Sequence, residues 1–152
     1  MLTEDVASFL ASGLSLNVAT ASRDLEPNGT RAFAAVVEPD RLHVVVFVHA
    51  VAAPTLLRDL GENPRLALTF ARPADHRTAQ LKGTFLGSRP ASDDDRPEVE
   101  RQAEGFARSL EGIGIARAAM TGWNPWPATA LRMRVEAIFE QTPGPGAGEP
   151  MR

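Results

Sequence analysis

The side chains best placed to hold a ligand fall in one short stretch, residues 78–87. Read as a strand, TAQLKGTFLG puts Thr78, Gln80, Lys82 and Thr84 on one face. Ala79, Leu81, Gly83 and Phe85 take the other, because successive strand side chains alternate. Lys82 is the only lysine in the chain and sits in mid-strand with Gln80 and Thr84 beside it. Such a row is either a polar shelf that holds an anionic ligand or an exposed sheet face with solvated groups.

Other chemistry is sparse. His43, His49 and His76 lie at no metal-ligand spacing with one another or with paired carboxylates, so no zinc or iron site is expected. His43 and His49 flank a valine-rich strand and are expected to cap its ends. No nucleophile elbow, phosphate-binding loop or dinucleotide fingerprint is present. Asp93, Asp94 and Asp95 read as a solvated loop and helix cap. Chemistry performed by this chain therefore needs a cofactor to carry it.

The elements that must position the shelf follow from periodicity. Thr3 caps a helix over residues 4–12, with Val6, Phe9 and Leu10 on its apolar stripe. Strands are expected over residues 14–21, 30–38 and 41–49, with a turn at residues 23–29 marked by Asn28-Gly29. The third strand is nearly all valine, as in a strand covered on both faces. A short helix over residues 54–60 precedes the strands within residues 63–87, and residues 89–96 form a loop. Val99, Ala103, Phe106 and Leu110 then mark a helix ending at Gly112, followed by one or two helical turns within residues 113–120. Residues 123–127, WNPWP, cannot be regular. In the last strand, residues 130–140, Leu131, Met133, Val135, Ala137 and Phe139 are expected to face inward. This order, with short links, predicts an α+β protein: a six-stranded, mainly antiparallel barrel with short flanking helices. Residues 1–142 form the domain and residues 143–152 a Pro/Gly-rich tail.

Composition narrows the function classes. At 152 residues, one domain has room for a sizeable core. No apolar run approaches the ~20 residues of a membrane helix, and no signal peptide is read, so no membrane partner and a cytoplasmic location are expected. Cysteine is absent, which excludes disulfides and thiolate catalysis. The net charge is −3 and the arginines are scattered, so no nucleic-acid partner is expected.

Several fragments recur in one order: a helix before the first strand, VATA at residues 18–21, Gly29-x-Arg31, and the valine-rich strand. Leu60-x-x-Asn63-Pro64, and Arg77 leading into a strand with Gly83, complete the set. Across residues 4–88, with a looser echo from Trp123 onward, the chain resembles the pyridoxamine 5′-phosphate oxidase-like proteins, the FMN-binding split β-barrels. ARPADHRTAQLKG and Gln141-Thr-Pro-Gly-Pro145 look like marks of a small subgroup.

The resemblance implies a homodimer with FMN at the subunit interface and a small-molecule substrate. It assigns Arg31 to the FMN phosphate. The Ser-x-Lys pair that usually assists falls on Pro54 and Leu56, with Thr55 between them. Either Lys82, with Arg77, Thr78 and Gln80, supplies the missing donors, or the barrel binds something else or nothing. Trp123 and Trp126 are candidates to stack on the flavin ring, and equally to plug the core or meet a partner. Arg31 and Arg77 could equally form surface ion pairs. The expected function is an FMN-dependent oxidoreductase with no acid–base residue of its own. The alternatives are a non-catalytic carrier of haem or a deazaflavin, and a barrel that only dimerises through its polar strand face.

Overall fold

The computed structural model describes residues 1–151. Six strands close into a barrel: β1 (Ser15–Ala21), β2 (Pro27–Val37), β3 (His43–His49), β4 (Arg65–Ala71), β5 (Thr78–Pro90) and β6 (Ala128–Glu140). They run in the order β1-β2-β3-β6-β5-β4 and every neighbouring pair is antiparallel. Helices α1 (Glu4–Leu10), α2 (Ala53–Glu62) and α3 (Arg96–Gly112), with a 3₁₀ turn at Arg117–Met120, pack around it. This is the expected α+β split barrel.

Alternation builds the core. Leu16, Val18, Val44, Val46, Leu68, Leu81 and Met133 point into the barrel, and α1 and α2 add Phe9, Leu10, Leu56 and Leu60. A second cluster lies outside the barrel, where Val99 of α3 meets Ala34, Phe47 and Ala130. β3 is thus covered on both faces, as its valine run implied. Closing a barrel this small leaves an outward face on every strand, and only part of that face is under a helix.

Glycines mark where backbones touch. A Cβ on Gly83 would lie 2.0 Å from the Arg134 carbonyl oxygen. Gly13, with φ +77°, and Gly105 let α3 cross the α1–β1 link; a Cβ on Gly13 would lie 2.7 Å from the Gly105 carbonyl carbon. Gln102, fully buried on α3, acts as a substitute strand: its Nε2 donates to the Ala35 carbonyl at 2.9 Å, and its Oε1 accepts from the Ala35 N–H at 3.0 Å. β1 stops pairing with β2 at Ala32, so without Gln102 those backbone groups lack a partner.

Some expectations change. The first hairpin turns over residues 22–26, where the Ser22 N–H donates to the Glu26 carbonyl and Leu25 takes φ 63°. Asn28-Gly29 lies inside β2, because the Asn28 amide is drawn to Asp59 at 2.7 Å. α2 runs on to Glu62, two residues past its expected end. β5 runs on to Pro90, so the loop begins only after it. Asp95 makes no side-chain cap at α3; its carboxylate instead takes a two-pronged contact from Arg89 and bonds from Ser92.

The largest change is in β6. The β5–β6 register shifts beside Lys82, so Lys82 faces Ala137 and Gly83 faces Val135, leaving Glu136 as a bulge. Beyond the bulge the alternation inverts. Ile138 packs on the core, and Ala137 and Phe139 face outward. A one-residue insertion flips every later side chain. The tail, described over residues 143–151, turns back to bridge Pro150 to Phe139; Arg152 lies outside the described residues.

Candidate functional site

Residues directly opposite across neighbouring strands share a face. One outward row therefore runs Arg31, Asn17, Thr69, Gln80, Phe139 across β2, β1, β4, β5 and β6. The next runs Gly29, Ala19, Ala67, Lys82, Ala137. The polar row seen in the sequence faces outward, and the row beside it is made of small side chains apart from Lys82. Gln80 Nε2 donates to Thr69 Oγ1 at 2.9 Å, and the Lys82 ammonium stands 4.6 Å from the Phe139 ring centre.

Among the described residues no carboxylate pairs with Lys82. Arg65 faces Thr84, which places it diagonally from Lys82 on the same face. Together they flank an open hollow of about 390 Å³ floored by Ala19, Ala67 and Gly83. Arg65 contacts Glu136 at 2.7 Å, and its side chain is 70% exposed.

A deeper hollow of about 460 Å³ lies between α3 and β2, closed by the 3₁₀ turn and the following loop. At its mouth the Arg31 guanidinium carbon is 4.1 Å from the Trp123 ring centre and 4.6 Å from that of Phe106. The two rings stack 5.2 Å apart at 14°. Among the described residues the only hydrogen bond of Arg31 goes to Ser15 Oγ, at 3.4 Å, and burial lowers its pKa. The opposite wall carries Glu100, Glu104 and Arg117. Arg117 is already committed, with a two-pronged contact to Glu104 and a further bond to Glu111. The hydrogen bonds from Arg117 and then Arg108 hold the Glu104 carboxyl down at about 2.

The remaining sequence candidates are spread out. Arg77 pairs with Asp5 and lies 4.2 Å from the Phe9 ring, clamping α1. The Thr78 hydroxyl donates to the His76 carbonyl, and its N–H donates to Thr142 Oγ1. Thr55 is exposed on α2, outside both hollows. Trp126 packs on the second cluster with the Arg96 guanidinium 4.3 Å from its ring, while its Nε1 is buried without a partner. The structure thus brings together Arg31 with Trp123, and Gln80 with Lys82, three strands apart along one outward row.

Sequence reading missed Arg65, Phe106, Gln102 and Asp59. Phe106 was assigned to a helix stripe, and Arg65 was one scattered arginine among many. Asp59 is fully buried, and its Oδ2 accepts from Asn28 Nδ2 and Thr20 Oγ1, which lower its pKa. It ties α2 to the β1–β2 hairpin, and nothing in its local sequence signals this. Glu38, Asp40 and His43 also converge, but Arg132 engages Glu38 and His43 engages Asp40, so they hold a turn. His49 likewise holds the loop after β3, contacting the Trp126 carbonyl and accepting from the Val51 N–H.

No protein-family model and no curated protein matches the chain. Solved structures do. An F420 reductase is 14% identical, with a TM-score of 0.60 over 90% of this chain and 98% of that one. An FMN-binding protein from Syntrophomonas wolfei is 11% identical, with a TM-score of 0.54 over 88% and 81%. HutZ, the haem storage protein of Vibrio cholerae, is 16% identical, with a TM-score of 0.50 over 92% and 95%. The chain has the split-barrel fold of the FMN-binding, pyridoxamine 5′-phosphate oxidase-like proteins, the fold its sequence resemblance implied.

Proposed function

We propose that the outward shelf binds a phosphate-bearing flavin, FMN first, and that the chain serves as a flavin-dependent oxidoreductase on a small molecule. The observation that carries this is the pair Lys82 and Arg65, set diagonally over a floor of alanine and glycine. A phosphate dianion is matched by two cations, and the small side chains leave a flat seat for a planar ring. Gln80 offers an amide beside it. The absent Ser-x-Lys pair is thereby replaced from β4 and β5. Bound flavin would supply hydride or electron transfer; the chain's residues would bind, orient and shield it.

The shelf is open to one side, which supports a homodimer in which a second copy covers it. Haem fits less well. His43 and His49 end β3 and His76 sits in the β4–β5 loop, so no histidine lines either hollow to serve as an axial ligand.

The test is the visible spectrum and the molar mass of the protein after FMN is added and the excess removed. Retained flavin on a dimer is expected. Lys82→Ala and Arg65→Ala should each weaken retention by about 10- to 100-fold, the loss of one charged hydrogen bond. A wild type that retains no flavin ends the reading, and unchanged affinity in both variants moves the phosphate off the shelf.

A further inference from the structure

We infer that the hollow between α3 and β2 is a second ligand site, taking a planar ligand with a single carboxylate anchored on Arg31. Three observations converge there. The first is a guanidinium that is half-buried and without a carboxylate: among the described residues Arg31 hydrogen-bonds only to the Ser15 hydroxyl. A desolvated, planar fork of donors is the geometry that carboxylates bind. The second is the aromatic lining. Phe106 and Trp123 present stacked rings beside that fork, and a flat apolar body extends naturally along them. The third is size: about 460 Å³ is in the range of small-molecule pockets.

Charge selects the anion. Arg117 is neutralised by Glu104 and Glu111, and Glu100 faces the same space. Arg31 is left as one uncompensated positive charge, which matches one negative charge. A phosphate dianion would meet a single free cation, since Glu100 and Glu104 on the opposite wall are already paired with Arg96, Arg108 and Arg117. The site therefore differs from the Lys82–Arg65 hollow, where Lys82 is unpaired among the described residues and Arg65, shared with Glu136, adds a second cation. Arg31 is in this assignment a ligand anchor and no part of a flavin-phosphate clamp. Under the cofactor reading above the ligand is the substrate, but the pocket itself stands without bound flavin.

The test is isothermal titration of the flavin-free protein with 2-naphthoate, 2-naphthamide and 2-naphthyl phosphate. Naphthoate should bind at least tenfold more tightly than the carboxamide or the phosphate ester. Arg31→Gln should abolish that preference, and Trp123→Ala should weaken naphthoate and naphthamide alike. Arg31→Lys, which keeps the charge but not the fork, should retain only part of the preference and covers the case in which Arg31→Gln does not fold. Equal binding of naphthoate and naphthamide, or no binding of either, overturns the proposal. Tighter binding of the phosphate ester also overturns it and makes the pocket a phosphate site. None of these outcomes depends on FMN retention, so the two readings fail separately.

Discussion

Among the described residues neither Lys82 nor Arg31 pairs with a carboxylate, yet their surroundings give them different behaviour. Lys82 is exposed above small side chains, while Arg31 is half-buried against two rings. Screening acts on the first far more than the second: the Debye length shrinks from ~30 Å at about 0.01 M salt to ~3 Å at about 1 M. FMN affinity should therefore fall at least several-fold across that range, whereas naphthoate affinity should change by less than about threefold. Parallel titrations at the two ionic strengths check this, and equal salt slopes would mean that the two cations share one environment.

At the scale of elements, α3 is held to the barrel by the packing of Val99, by the Gln102 amide and by the close approach of Gly13 to Gly105, and the last two lie just before Phe106 in the helix. Gln102 and Phe106 are four residues apart, on one face of the helix. Gln102→Leu leaves the N–H and C=O of Ala35 unpaired, at about 1–3 kcal/mol for each buried group. A lower urea midpoint and weaker naphthoate binding are expected together; a destabilised variant with full affinity would show that the helix seats itself by other contacts. Gly83→Ala acts on the shelf. Its methyl must displace the Arg134 backbone beside the bulge, which should cost about 3 kcal/mol or more and abolish soluble expression or flavin retention. Local patterning made most of this architecture legible: the alternation in β4 and β5, the valine run of β3 and the stripe of α1 all survive in the structure. The bulge at Glu136 was not legible, because it arises from a close approach of Gly83 to β6 and leaves no mark in the β6 sequence. The polar face of β5 could be read directly, since Thr78, Gln80 and Lys82 alternate with buried residues. Its cationic partner Arg65 and the Arg31 stack required the pairing of distant strands, which no spacing encodes.

Across the whole molecule, carboxylate contacts with arginine, histidine and backbone N–H groups tie segments that the barrel ladder does not. Arg117 joins the 3₁₀ turn to α3, Arg72 closes the β4–β5 loop on Asp75, and Asp40 holds the β2–β3 turn through the Leu42 N–H and His43. In each the carboxyl is held at about 2, chiefly by hydrogen bonds: from Leu42 and His43 to Asp40, from Arg72 to Asp75, and from Arg117 to Glu104. A carboxyl whose folded pKa lies below its unfolded value binds more protons when unfolded. Its contribution is therefore complete above the ordinary value, 3.8 for Asp and 4.5 for Glu, and is lost as pH falls toward about 2. Thermal midpoints should accordingly change little from neutrality to about pH 5 through these groups and drop steeply below it. Arg117→Gln isolates one of them. The variant should melt below the wild type at neutral pH, and the gap should narrow as pH falls from 4.5 toward about 2, as Glu104 takes up its proton in the wild type. A gap that stays constant with pH would mean that Arg117 stabilises through packing of its stem and not through the Glu104 charge.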